Sequence, residues 1–277
     1  MTTTLPVYDS AQPRTTPASL FTNLITYRGL LRLLVRRELT IRYKRSTLGV
    51  WWTLLNPLLT TGVLWLVFGL RNFAAQGLEE PYIVYLLAGV VLMTFFSQTV
   101  MATGSTIKGQ TGILSKVYVP AEVFAFASAI AGLVNFMIAS LLLVVAAVVT
   151  GQGIAWTVAL APIAIICLLA LVVGLGLLLA SAAVWFYDVL DLTRVLLQLL
   201  FYMTPVFWTV SFLPDEFVPL VKLNPMFHYL ELFRDVVYRG VIPPWSEWAI
   251  ILAISAVALT LGAWVFTRSW KSLVVRL

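Results

Sequence analysis

Between Glu122 and Asp188 the chain runs for 65 residues without a charged side chain. A soluble domain cannot be built around such a stretch, because its surface needs charge at about 25% of positions. A hydrocarbon core about 30 Å thick takes roughly 20 apolar residues of helix. The run is therefore too long for one crossing and long enough for two, with a glycine-rich break at Thr150-Gly151-Gln152-Gly153. Four more uncharged stretches follow the same logic: Ser46–Leu70, Pro81–Ile107, Val195–Pro214 and Trp248–Thr267. The expected fold class is an all-α integral membrane protein with six transmembrane helices, at about 48–70, 83–107, 123–149, 156–185, 195–213 and 248–267. Composition agrees, with 61% hydrophobic and 11% charged residues. It excludes a soluble enzyme, a disordered chain and a secreted disulfide scaffold. Cys167 and His228 are the only residues of their types, so neither an internal disulfide nor a Cys- or His-rich metal site is available.

The net charge of +6 raises nucleic acid and membrane topology as competing explanations. With the N-terminus in the cytoplasm, the inside segments hold 14 of the 18 basic residues; Arg71, Lys222, Arg234 and Arg239 lie outside. That asymmetry obeys the positive-inside rule and places both termini in the cytoplasm, leaving no basic patch for a nucleic-acid partner. Residues 1–17 are rich in Thr and Pro, lack the apolar core of a signal peptide, and are expected to form a disordered cytoplasmic tail.

Three segments are not plain spans. Residues 18–45 read as an amphipathic interfacial helix, with Leu20, Tyr27, Leu30, Leu31, Leu34 and Ile41 on one side. Arg28, Arg32 and Arg36 stack on the other, with Arg37 beside them. It is either a membrane-flanking anchor or a collar that meets an anionic lipid head group or a partner. The cytoplasmic loop 108–122, KGQTGILSKVYVPAE, carries apolar Ile113, Leu114, Val117, Tyr118 and Val119 between Lys116 and Glu122. It is either a docking ridge for another protein or a stretch lying on its own bilayer face. The outer segment 214–247 is too apolar for a free loop and too charged for a span. Two short helices are expected at about 215–222 and 226–239, either dipping into the outer leaflet or lying flat on it.

The chemistry of an enzyme is missing. No carboxylate sits mid-span, and Asp188 and Asp191 beside Arg194 form a helix-end charge cluster. Gly104–Thr111, GSTIKGQT, nearly fits a phosphate-binding loop, but Gln110 replaces the required lysine and an apolar span precedes it in place of a strand. No proton relay is present either, so a pump of this composition needs energy from elsewhere. What the spans offer is aromatic: Trp51, Trp52, Trp65 and Phe68 in the first, and Phe201, Tyr202, Phe207 and Trp208 in the fifth. Such rings stack on sugar faces or sit at head-group depth. Asn56-Pro57 and Thr204-Pro205 loosen the backbone of those two helices.

RYKRSTLGVWWTLLNPLL at 42–59, ILSKVYVPAEVF at 113–124, LLQLLFYMTPVFW at 196–208 and LNPMFHYLELFRDVVYRG at 223–240 together resemble the permeases of type-2 ABC exporters for polysaccharides, the O-antigen and teichoic-acid exporters. The resemblance spans nearly the whole chain in register and is closest in flavour to actinobacterial lipid-linked galactan exporters. One departure is Tyr187-Asp188, where the family commonly has Arg-Asp. The resemblance implies a transport permease of the cytoplasmic (inner) membrane, not an enzyme. It would act as a homodimer with two copies of a separate ABC ATPase subunit. ATP and Mg would bind on that partner, and no cofactor on this chain. The substrate would be a polyprenyl-diphosphate-linked glycan (O-antigen, teichoic acid or galactan). It further implies a gate at the lipid head group formed by Arg28, Arg32, Arg36 and Arg37, and an ATPase-coupling segment with Ile113, Leu114, Lys116, Tyr118, Pro120 and Glu122. The channel would be lined by Trp51, Asn56, Trp65, Phe68, Phe201, Tyr202 and Phe207, and the re-entrant exit by Asn224, Pro225, Phe227 and Tyr229. The alternatives are a type-2 exporter of drugs or small lipids and, further off, a membrane-embedded glycan-modifying enzyme.

Overall fold

The computed structural model describes residues 17–44, 47–69, 80–110, 120–186 and 188–276. Among these every regular element is helical. The interfacial segment forms α1 (Pro17–Thr26) and α2 (Arg28–Lys44), joined at Tyr27 with backbone bonds running through. The uncharged stretches give α3 (Trp51–Leu64, extended by a π-helical turn, Trp65–Gly69), α4 (Tyr82–Gly109), α5 (Ala121–Val149) and α6 (Ala161–Trp185, led in by a 3₁₀ turn, Trp156–Leu160). Then come α7 (Val189–Met203), short α8 (Val218–Lys222), α9 (Pro225–Arg234, extended by a π turn, Asp235–Arg239) and α10 (Trp245–Arg276).

Five helical stretches are long and apolar enough to cross a membrane: Trp51–Gly69, Tyr82–Ile107, Ala121–Val149, Trp156–Trp185 and Trp245–Ser269. The sixth expected crossing, 195–213, differs. Its helix starts earlier, at Val189, and stops at Met203, because Pro205 has no N–H to continue the ladder. The α5–α6 turn forms where expected, with Gly151 and Gly153 at φ 77° and 71°. The outer segment also breaks where expected, with helix over 218–222 and 225–239 and a left-handed Gly240 (φ 74°) closing it.

Helix α6 is the central post, with α10 along one side and α4 along another, while α5 closes on α4. Backbones meet directly at the α6–α10 crossing. A methyl group added at Gly262 would sit 2.2 Å from the Gly174 carbonyl oxygen, and one at Gly174 2.3 Å from the Ala258 carbonyl carbon. Small residues supply such contact where lipid gives no hydrophobic drive between helices. Helix α3 stands apart: 11% of its most apolar window is buried, against 78% for α4. One end of the bundle carries α1, α2, the end of α4, the start of α5 and Asp188–Arg194; the other carries the α5–α6 turn and everything from Thr204 to Trp245.

The break after α7 is largely buried, and several of its carbonyls meet side-chain donors. Tyr82 Oη donates to Phe207 O at 2.6 Å. Tyr85 Oη lies 2.9 Å from Pro205 O and 2.7 Å from Trp208 O. Arg234 Nη2 donates to Val206 O at 3.4 Å. Asn224 Nδ2 donates to Thr204 Oγ1 at 2.8 Å, while its Oδ1 caps α9 by accepting from Met226 N at 2.9 Å. Non-helical backbone at apolar depth persists only when protein satisfies it in this way. The end of α9 is treated likewise: Ala155 N and Thr157 Oγ1 donate to the Val237 and Val236 carbonyls at 3.1 and 2.8 Å.

Candidate functional site: an open polar cleft

Two adjoining cavities of about 410 and 580 Å³ lie between α3, α4, α5 and α7. They share Arg42, Asn56, Thr94 and Gln98, and so form one cleft. The smaller part runs in toward Trp52, Phe95, Asn135 and Phe136; the larger runs along α7 past Arg194, Gln198 and Phe201. Tyr43 Oη donates to Asn135 Oδ1 and lies 3.0 Å from Thr53 Oγ1, fixing the foot of α2 to α5 and α3. Asn56, Gln98 and Gln198 are exposed although each sits well within its helix. Neutral amides beside aromatic faces, with Arg42 and Arg194 at one end, suit a hydroxyl-rich, anionic-ended ligand better than a lipid tail or a metal ion.

The opposite wall of α7 is unlike the first. An apolar groove of about 810 Å³ lies between α6, α7 and α10, with Thr193 among its lining residues. At the far end of the cleft, Phe68 of the α3 extension meets Phe207 (centroids 5.0 Å apart), and Phe201 and Tyr202 complete an aromatic cluster there.

A family model for the ABC-2 type transporter matches residues 29–238, three quarters of the sequence. The chain belongs to the ABC-2 type transporter family. It is 32% identical over 251 residues to the O-antigen export system permease RfbA of Myxococcus xanthus, covering 88% of this chain and 93% of that protein. It is 23% identical over 243 residues to an RfbA permease of Klebsiella pneumoniae, covering 86% and 91%. With the capsule polysaccharide export inner-membrane protein CtrC of Neisseria meningitidis it shares 24% identity over 257 residues, covering 91% and 96%. An ABC-2 chain is the membrane subunit of a transporter, and the five long apolar helices make this one a multi-pass membrane protein.

The ABC-2 fold brings some of the expected site residues together and separates others. Asn56 and Phe201 face the cleft; Phe68, Phe207, Phe201 and Tyr202 cluster at its far end. Trp51 and Trp65 are exposed on α3, outside both cavities. Arg28, Arg32, Arg36 and Arg37 are all exposed on α2, while Leu34 and half-buried Tyr27, Leu30, Leu31 and Val35 pack on Val123, Phe124 and Ala127 of α5. The apolar side of this helix pair therefore leans on protein. Of the expected coupling residues, Ile113, Leu114, Lys116 and Tyr118 lie outside the described residues. Pro120 opens α5, and Glu122 is not on the surface but buried, accepting from Asn23 Nδ2 at 2.7 Å. The tail 1–16 also lies outside the described residues. At the exit, Asn224 caps α9 and Pro225 lines the apolar groove. Tyr229 reaches α10, its Oη 2.9 Å from Ile251 O, and Phe227 is half-buried against the His228 ring. Asp191 and Arg194 pair at 2.6 Å on an exposed surface, as a helix-end cluster should.

Several cleft residues were not singled out by sequence reasoning: Arg42, Thr94, Gln98, Asn135 and Gln198. A signal existed in α4, where Thr94, Ser97, Gln98 and Thr99 put a polar face on an otherwise apolar helix.

Proposed function

We propose that this chain is the membrane subunit of an exporter of polyprenyl-diphosphate-linked polysaccharide, working as a homodimer with two copies of an ABC ATPase. The observation that carries the reading is the open side of the cleft. Asn56, Gln98 and Gln198 are exposed in the middle of apolar helices, where contact with lipid leaves their hydrogen-bonding groups unsatisfied. Those amides need water or a second protein surface. A second copy facing α3 and α7 supplies both, because two clefts then enclose one aqueous path lined by amides and aromatic rings. Sugar passes such a lining through weak, repeated contacts. The relatives that export O-antigen and capsule polysaccharide support a glycan as cargo. In this reading α7 continues through its break as the sixth crossing, 214–247 is a re-entrant exit segment, and both termini are cytoplasmic. The basic end of the bundle, with the arginines of α2, Arg194 and Arg268, then faces the cytoplasm, where the stripe meets the diphosphate. The 108–122 connection receives the ATPase.

The test replaces Asn56, Gln98 and Gln198 together with Leu and follows glycan surface delivery in cells lacking the native subunit. Export should fall at least about tenfold, a loss of about 1.4 kcal/mol in effective coupling to the cargo, with subunit level and ATPase co-purification unchanged. Normal export by this variant would refute the cleft as the path.

A further inference from the structure

Polar side chains tie the helix pair α1–α2 to both ends of the α4–α5 connection. Arg37 Nη1 donates to Gln110 Oε1 at 3.1 Å, just past α4, and Asn23 Nδ2 donates to Glu122 Oε1 at 2.7 Å, in the first turn of α5. The two bonds differ in kind. The first is exposed, so water replaces it at little cost. The second is sheltered: Glu122 is 8% exposed, beside the apolar cluster that Leu34 forms with Val123, Phe124 and Ala127. A carboxylate in that setting is costly unless it is hydrogen-bonded, so its acceptor oxygen strongly favours keeping the Asn23 amide in place. Apolar packing alone has no such direction. Leu34 packs on Val123, Phe124 and Ala127 without a directional bond, whereas any slide of α1 along α5 breaks the Asn23–Glu122 bond.

We propose that Asn23 and Glu122 form a positioning latch that makes the interfacial helix pair move as one body with the foot of α5. Displacement imposed at the α4–α5 connection by the ATPase then reaches the stripe Arg28, Arg32 and Arg36 without loss. Glu122 touches neither nucleotide nor cargo; it acts through Asn23. The inference rests on the export reading above and adds a residue pair that converts hydrolysis into movement of the head-group contact.

The experiment uses the full complex, permease with its ATPase, in proteoliposomes loaded with the lipid-linked glycan, and measures glycan delivered per ATP hydrolysed. N23D sets one carboxylate against another and should lower that ratio at least about fivefold, the lower end of a typical coupling free energy. Its ATPase rate should stay within about twofold of the parent. E122Q keeps an acceptor oxygen for the Asn23 amide but loses the charge, and should lower the ratio less than N23D does. The exchanged pair N23D/E122Q restores an amide–carboxylate bond in reverse and should recover the ratio. A purely structural defect lowers both rates together and leaves their ratio unchanged; that result, or failure of the exchanged pair to recover it, overturns the latch. If the unmodified complex exports no glycan, the export reading falls instead. The latch is then judged by joining N23C to E122C with a short bis-maleimide: unchanged glycan-independent ATPase cycling supports a single body. Arrest of that cycling shows that the two elements part, and overturns it.

Discussion

Arg234 sits with its guanidinium 3.5 Å from the centroid of the Tyr85 ring, fully buried, with Nη1 2.6 Å from Glu231 Oε1 and Nη2 donating to the carbonyls of Tyr85 and Val206. Arg239 extends the cluster to Glu231, Asp235 and Glu80. One flat cation thus fastens α9, α4 and the break after α7. Arg234→Ala leaves Glu231 with Arg239 alone and takes a donor from the carbonyls of Tyr85 and Val206; it should cost about 1–3 kcal/mol, read as a lowered melting temperature in detergent. Arg234→Lys should recover little, because an ammonium can neither stack nor reach two carbonyls and a carboxylate at once. Burial alone pushes the Glu231 carboxyl up, but Arg234 and Arg239 outweigh it and hold the folded value below the ordinary 4.5. The sign follows: this pair's contribution is complete above pH 4.5 and is lost as pH falls from there through the lowered folded value. Melting curves of the parent should therefore drop over that acid range, and those of Glu231→Gln should drop less. None of this was legible in the sequence, where Arg234 reads as one of four outer basic residues. A buried arginine declares itself only when the residues around it, 149 and 28 positions away along the chain, are folded against it.

Elements were legible to the extent that they depend on local pattern. The first four uncharged spans, the Gly151–Gly153 turn and the paired outer helices all follow from composition and breaker residues and fall within a few residues of expectation, whereas α10 runs on to Arg276, past the expected end at 267. The end of α7 was misplaced because hydropathy continues past Thr204 while the backbone does not; the carbonyls freed there are satisfied by Tyr82, Tyr85 and Arg234, which no local pattern announces. The cleft was half legible: its aromatic far end and Asn56 were named, while Gln98, Asn135 and Gln198 were not. Two predictions belong at this scale. Gly262→Val forces a side chain into the Gly174 carbonyl and should prevent α6 and α10 from closing, seen as loss of the monodisperse peak in size-exclusion chromatography. Replacing Arg28, Arg32 and Arg36 together with Ala removes exposed charge from α2 while leaving Leu34 and its packing intact. The fold should keep its melting temperature, while glycan-stimulated ATP hydrolysis should fall toward the unstimulated rate. Full stimulation would show that the stripe is an anchor and nothing more.

At the scale of the whole molecule, the side carrying α3 and α7 is unfinished within a single chain. Trp52, Leu59, Val63, Leu66 and Tyr202 are exposed together with the cleft amides. A second copy should cover them, so a cysteine at Leu59 or Val63 should give a subunit-to-subunit product with a bifunctional maleimide in native membranes. Absence of that product across α3 would count against a shared path. Cys167 is buried and should not interfere. The α6–α10 crossing sets what such an assembly is able to do. Where two backbones touch with no side chain between them, neither helix has slack to take up. The molecule is therefore tight along the axis through Gly174 and Gly262 and loosest at α3, which has few buried contacts. In the proposed export cycle, a push delivered at one end of the bundle would not be taken up at that axis and would have to appear as movement of the more loosely held α3.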